Sequence, residues 1–185
     1  EPAKGNRAGE TVVFSEAPAG QNGQNGGQNN GPKVGTKSAS NDAISLSVNY
    51  DNMTATTGSL AGSMLIKNDS GKAIPLNTMG IEFYFTKDED KELTFDCYYA
   101  AVSGQSALSG VKGSYSTASG TDADTCCNIT ISDKGELPAG ETLTVNFSIH
   151  RTDWSNLNTA NDYSVADAAH IVVADGGKVI FGTRP

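Results

Sequence analysis

From residue 42 onward, apolar side chains recur at every second position, and this constrains the fold more than any other property of the chain. Ile44, Leu46, Val48 and Tyr50 alternate with Ser45, Ser47 and Asn49. Ile81, Phe83 and Phe85 repeat the pattern, as do Leu143, Val145, Phe147 and Ile149. Successive side chains of an extended chain point to opposite faces, so a period of two marks strands with one buried face. Shorter apolar runs lie at Met64-Leu65-Ile66, Ile129-Thr130-Ile131, Ile171-Val172-Val173 and Val179-Ile180-Phe181. Turn-forming residues separate them: Asn68-Asp69-Ser70-Gly71, Pro138-Ala139-Gly140 and Asp175-Gly176-Gly177. No segment carries a sustained helical period. Many short strands with turns between them predict an all-β domain, an antiparallel β-sandwich or jelly roll, over residues 42–185.

Residues 1–41 differ in kind. Thr11, Val12, Val13 and Phe14 form one short, apolar, β-prone segment. The tract after it, from Gln21 to Gly31, holds only Gln, Asn and Gly. Such a tract has nothing to bury and reads as a flexible linker. Ala17 to Asn41 would span roughly 25–30 Å as a coil and up to ~80 Å extended. That reach permits a plain interdomain linker, a strand added to the chain's own sandwich, or a strand added to the edge of another copy. The last arrangement does not close on itself and would build a filament.

Only 18% of the residues are charged, and the net charge is −8. An acidic surface is repelled by phosphate backbones and by anionic lipid, so neither nucleic acid nor membrane is an expected partner. A neutral polymer such as a polysaccharide meets no such barrier. No apolar run approaches the ~20 residues that span a bilayer. The chain opens Glu1-Pro2-Ala3-Lys4 without a signal peptide. Its turn-rich, weakly charged composition nevertheless leads us to expect a secreted protein whose signal has been removed, displayed at a bacterial cell surface.

Three cysteines, Cys97 and the vicinal Cys126-Cys127, do not match zinc-ligand spacing. They allow either one disulfide from Cys97 to a member of the pair, or buried thiols acting as small apolar residues. Two segments interrupt the strand pattern. Residues 103–125 are mostly Ser, Gly, Thr and Ala, with Val111 and Tyr115 as anchors, and residues 150–170 are polar. Both are expected to be long loops, where binding surfaces concentrate. The second holds Asp153-Trp154-Ser155-Asn156-Leu157-Asn158-Thr159-Ala160-Asn161-Asp162-Tyr163-Ser164. Its density of oxygen donors suits either a hard cation or a set of side-chain turns with no ion. Trp154 either plugs one end of the sandwich or stands exposed as a flat ring for a sugar face.

Asp-Trp-Ser-Asn, six residues, then Tyr-Ser closely resembles the family 3 carbohydrate-binding modules. The likeness runs in order through the chain. Leu46–Asp51 is similar to the family's first core strand, and Lys67–Leu76 to its second strand and turn. Thr94–Ala101 resembles the family's Phe-Trp-Cys-Asp-His-Ala-Ala segment. Gly110–Gly113, Ala123–Thr125, Leu137–Gly140 and the closing Phe181-Gly182-Thr183-Arg184-Pro185 also match.

The resemblance implies a nine-stranded jelly roll with one structural Ca2+ ion, held by Thr86, Asp88, Asn158, Asn161 and Asp162. It also implies a flat aromatic and polar strip that binds cellulose or a related β-glucan. Trp154 and Asp153 match the strip's tryptophan and aspartate, Tyr98-Tyr99 replaces its Asp-His pair, and its next tyrosine is lost. The strip arginine falls on Ser148, with His150 and Arg151 close by. The expected carbohydrate-binding residues are therefore Trp154, Tyr98, Tyr99, Asp153 and Arg151. No paired carboxylates in a cleft and no nucleophile motif are evident, so the chain reads as non-catalytic.

Overall fold

The computed structural model describes residues 35–51 and 54–185. Among them are fourteen strands. In chain order they are β1 (Thr36–Ser40), β2 (Ile44–Tyr50), β3 (Thr56–Thr57), β4 (Leu60–Asn68), β5 (Ile74–Pro75), β6 (Met79–Phe85) and β7 (Leu93–Val102). Then follow β8 (Val111–Thr117), β9 (Thr125–Ile131), β10 (Glu136–Leu137), β11 (Thr142–Arg151), β12 (Leu157–Asn158), β13 (Val172–Asp175) and β14 (Lys178–Phe181). Two five-stranded antiparallel sheets carry the fold, ordered β1-β2-β4-β11-β7 and β14-β13-β6-β9-β8. The two-residue strands pair β10 with β5 and β12 with β3. Among the described residues one α-helix forms, α1 (Tyr163–Ala166), of a single turn.

The period-two expectation holds where it was strongest. Ile44, Leu46 and Val48 of β2, Leu60, Met64 and Ile66 of β4, and Leu143, Val145, Phe147 and Ile149 of β11 are all buried between the sheets. Facing them, Ile81, Phe83 and Phe85 of β6 and Ile129 and Ile131 of β9 complete one core. Phe83 and Phe147 meet across it with ring centroids 5.7 Å apart. Nine strands of four residues or more fall within the expected jelly roll. The tenth, β1, lies inside residues 1–41 and pairs with β2 from Thr36↔Asn49 to Ser40↔Ser45. Its sequence, Thr-Lys-Ser-Ala-Ser, has too few apolar residues to show a period, because an edge strand buries little.

The structure corrects the reading of residues 103–125 as one long loop. Val111–Thr117 forms β8, an edge strand on β9. Its pattern is hidden because the inward position between Val111 and Tyr115 is Gly113, whose missing side chain is replaced by the Phe95 ring of β7.

β7 itself is the longest strand without a legible period. Phe95 and Cys97 lie opposite Ile149 and Phe147 of β11, but Tyr99 lies opposite Asn146, leaving Tyr98 with no partner. This bulge reverses the phase. Odd positions face inward before it and even positions, Ala100 and Val102, after it. Both tyrosines consequently face solvent. All three cysteines are free thiols; Cys126 and Cys127 are buried, and burial pushes their pKa values up to about 11 and about 12. They act as small apolar side chains.

A Cβ at Gly113 would overlap the Phe95 ring. Gly113→Val is therefore expected to cost about 1–3 kcal/mol in denaturant unfolding. Combining it with Phe95→Ala should cost less than the sum of the two single changes. Strict additivity would show that the two residues do not share the space.

Candidate functional site: an aromatic face beside an oxygen-lined cradle

Exposed large hydrophobic side chains are rare on this protein. Among the described residues they are Tyr98, Tyr99 and Trp154. All three belong to the β7–β11 side of the first sheet. β11 is buried along its inner face, and its outward residues are Thr144, Asn146, Ser148 and His150. After Arg151 the chain turns back, with the Trp154 N–H donating to the Arg151 carbonyl at 2.8 Å. The turn lays the indole flat on the His150 imidazole, with centroids 3.6 Å apart and planes within 8°. One indole face is thereby covered and the other is free, which accounts for its 55% exposure. Trp154 does not plug the sandwich.

Trp154 adopts φ +58°, a left-handed conformation that costs a bulky residue about 1–3 kcal/mol. The loop is braced against that strain. Asp153 Oδ1 accepts from the Ser155 N–H at 2.9 Å and from its hydroxyl at 2.6 Å. Lys91 Nζ lies 3.1 Å from Asp153 Oδ2. The Ser155 contacts, followed by Lys91, hold the Asp153 carboxyl well below the usual carboxylate range. Tyr99 lies opposite Asn146 and Trp154 lies over His150, so the two platforms are about 13 Å apart along the strand. A short run of linked pyranose rings bridges such a distance.

The structure removes Arg151 from the expected binding residues. It is 1% exposed, and its guanidinium points away from the aromatic face. Nη1 donates to the Asn156 carbonyl at 2.6 Å, and Nη2 to the Lys87 carbonyl at 2.8 Å. Arg151 thus ties the loop bearing Trp154 to the loop bearing Asp88. Ser148, on which the family's strip arginine falls, is also buried and offers no group to a ligand.

The residues read from sequence as ion ligands do converge. The Thr86 N–H donates to Asp162 Oδ1 at 2.8 Å, and its hydroxyl to the Asn161 carbonyl at 2.7 Å. Asn161 Nδ2 donates to Asp88 Oδ1 at 2.8 Å, and the Asn158 N–H to Asp88 Oδ2 at 2.9 Å. Two oxygens remain buried without a partner, Asn161 Oδ1 and Asp162 Oδ2. Asp162 is 2% exposed, and burial, with Asp88, Asp124 and Asp122 nearby, pushes its pKa up to about 7.

A buried carboxylate without a cationic partner, beside orphaned oxygens, fits a hard divalent cation such as calcium. Among the described residues no three His, Cys, Asp or Glu side chains group as metal ligands. Calcium does not require that, since amide, hydroxyl and carbonyl oxygens serve it equally.

Sequence reasoning located the aromatic rings and the cradle but missed what supports them. His150 and Asp96, bonded at 2.9 Å, were not singled out as a pair. The available signal was phase: His150 is an outward position of β11, four residues ahead of the returning Trp154. The segment Thr11–Phe14 lies outside the described residues.

Residues 45–182 match the family described as "Cellulose binding domain". The chain is 33% identical over 132 residues to the "Uncharacterized protein in celA 5'region" of Paenibacillus lautus, covering 66% of this chain and 88% of that one. It is 30% identical over 147 residues to Cellulosomal-scaffolding protein A of Acetivibrio thermocellus, covering 72% of this chain but only 8% of that protein. Its structure superposes on a family IIIa CBD from Clostridium cellulolyticum with a TM-score of 0.71 and 31% identity, over 80% of this chain and all of the other.

The raised pKa of Asp162 gives a prediction with a definite sign. In chelator, the stabilising contribution of the protonated form is complete below about pH 4, the unfolded value, and is lost as pH rises through about 7. Thermal melts in chelator should therefore rise as pH falls from 8 towards 4. Millimolar calcium should raise the melting temperature at pH 7 to 8 and remove that dependence. Identical melts with calcium and with chelator would refute the cation reading.

Proposed function

The chain belongs to the cellulose binding domain family, and we propose that it acts as a non-catalytic module that attaches an extracellular protein or assembly to cellulose. The observation that carries this reading is the grouping of Trp154, Tyr98 and Tyr99 on one outward sheet face. Pyranose rings have apolar C–H faces, and flat aromatic rings cover them with little loss of side-chain freedom. Asn146 and Asp153 stand beside the rings to accept or donate hydrogen bonds to sugar hydroxyls. A neutral, extended polymer suits this face; nothing in it forms a deep pocket that would select a chain end.

Thr86, Asp88, Asn158, Asn161 and Asp162 would hold one structural calcium ion. When bound, the ion supplies the positive charge that the Asp162 carboxylate lacks. A site of modest affinity, with a Kd of ~10⁻⁴ M, would stay filled in extracellular fluid. The whole parent protein's architecture and location are part of the proposal, because the chain spans so little of the scaffolding protein that it resembles.

Microcrystalline cellulose is expected to deplete the protein from solution in calcium-containing buffer. Trp154→Ala should weaken that depletion roughly tenfold or more, the effect of losing a central aromatic anchor. Its melting temperature should barely change, since the ring is half exposed. Undiminished binding by Trp154→Ala would place the ligand on another face.

A second role is open to Thr11, Val12, Val13 and Phe14. β1 ends its sheet among the described residues, leaving one backbone edge able to accept a strand from a second copy. Deleting residues 1–20 should then abolish polymers and leave the melting temperature intact. Unchanged polymers, or a full-length chain that sediments only as monomer, would rule that role out.

A further inference from the structure

We infer that His150 is a positioning residue for the sugar platform, an imidazole laid beneath Trp154 to hold the indole parallel to the sheet. The inference rests on the reading of Trp154 as the sugar-stacking ring, but the geometry that supports it is independent of any ligand. His150 is 4% exposed although it occupies an outward position of β11, because the indole covers it. Both its ring nitrogens are fixed. Nδ1 lies 2.8 Å from the Arg151 carbonyl, and Nε2 lies 2.9 Å from Asp96 Oδ2. The same Arg151 carbonyl accepts the Trp154 backbone N–H at 2.8 Å. One oxygen therefore locks the imidazole and the residue stacked on it together.

A backbone carbonyl and an ionised carboxylate only accept hydrogen bonds, so both contacts are satisfied when both nitrogens carry protons. The imidazolium then lies face to face with the indole, an arrangement favoured by attraction between a cation and an aromatic face. Asp96 of β7 is the charged side chain in contact with the imidazole. On the adjoining loop Lys91 and Asp153 pair with each other at 3.1 Å, and the Arg151 guanidinium is turned to Asn156 and Lys87. The ring is thus pre-set before a ligand arrives, so binding does not have to order it.

Trp154 is the only tryptophan of the chain, so intrinsic fluorescence reports this stack directly. The other histidine, His170, stacks on Tyr163 instead. In the full 185-residue chain without ligand, His150→Ala should free the indole, read as lower tryptophan emission anisotropy and readier quenching by acrylamide than in the unmodified chain. His150→Phe should restore both readouts.

On microcrystalline cellulose at pH 5, His150→Ala should lower the partition constant roughly threefold to tenfold, the strength of one aromatic pair. His150→Phe, which restores a flat ring beneath the indole, should recover most of that loss. Indole anisotropy unchanged in His150→Ala, or a His150→Ala chain that binds as tightly as the unmodified one, would overturn the inference. If His150→Ala fails to fold, the same two readouts on His150→Leu, which fills the space without a flat ring, decide. The outcomes separate from those of the cellulose reading: a chain whose indole loosens without His150 but which ignores cellulose would sink the proposed ligand and leave the stack in place.

Discussion

The aromatic face of this protein depends on β11 being pinned from both sides. It pairs with β4 along one edge and β7 along the other, and its inward Leu143, Val145, Phe147 and Ile149 are sealed against the opposite sheet. A strand held in that way cannot slip register without exposing four large apolar side chains. The outward residues of the same strand therefore have fixed positions, and the platform inherits its precision from the core. Burial of this kind is non-directional in origin, but the period of two converts it into a directional constraint on what faces solvent.

Arg151 extends that rigidity beyond the sheet. It ends β11, and its buried guanidinium reaches the Lys87 carbonyl on one loop and the Asn156 carbonyl on another. The oxygen-lined cradle uses the residues next to the first contact, and the indole precedes the second. A single cation side chain thus sits between the oxygen-lined cradle and the aromatic face. This explains why an arginine beside exposed loop residues in sequence turns inward: a buried charge is retained only where it finds acceptors, and here both lie inside.

Legibility followed burial. The strands with one fully buried face, such as β2, β6 and β11, could be read from alternation alone. Besides the edge strand β1, β8 and β7 could not, for opposite reasons. β8 replaces an inward side chain with Gly113 and borrows Phe95 to fill the gap, so its own sequence looks like a loop. β7 changes phase midway, so no single period fits it. At the site, Trp154 and the oxygen donors were legible through family resemblance and residue type. Arg151 was misplaced because its sequence neighbourhood is exposed loop on one side and buried strand on the other. His150 escaped notice because its role depends on a turn that folds Trp154 back over it, which spacing alone does not reveal.

The unpaired Tyr98 has a consequence for how such a surface can be retuned. Strand β7 runs in two phases joined at one residue, and each half keeps its own inside and outside. Pairing that residue regularly, without the bulge, would put Ala100 and Val102 out to solvent while leaving Phe95 and Cys97 in place. Moving the junction by two residues would instead shift the paired tyrosines along the sheet with both halves still correctly buried. The spacing between aromatic rings is thus an adjustable ruler, set in steps of one pleat and decoupled from the hydrophobic core beneath it.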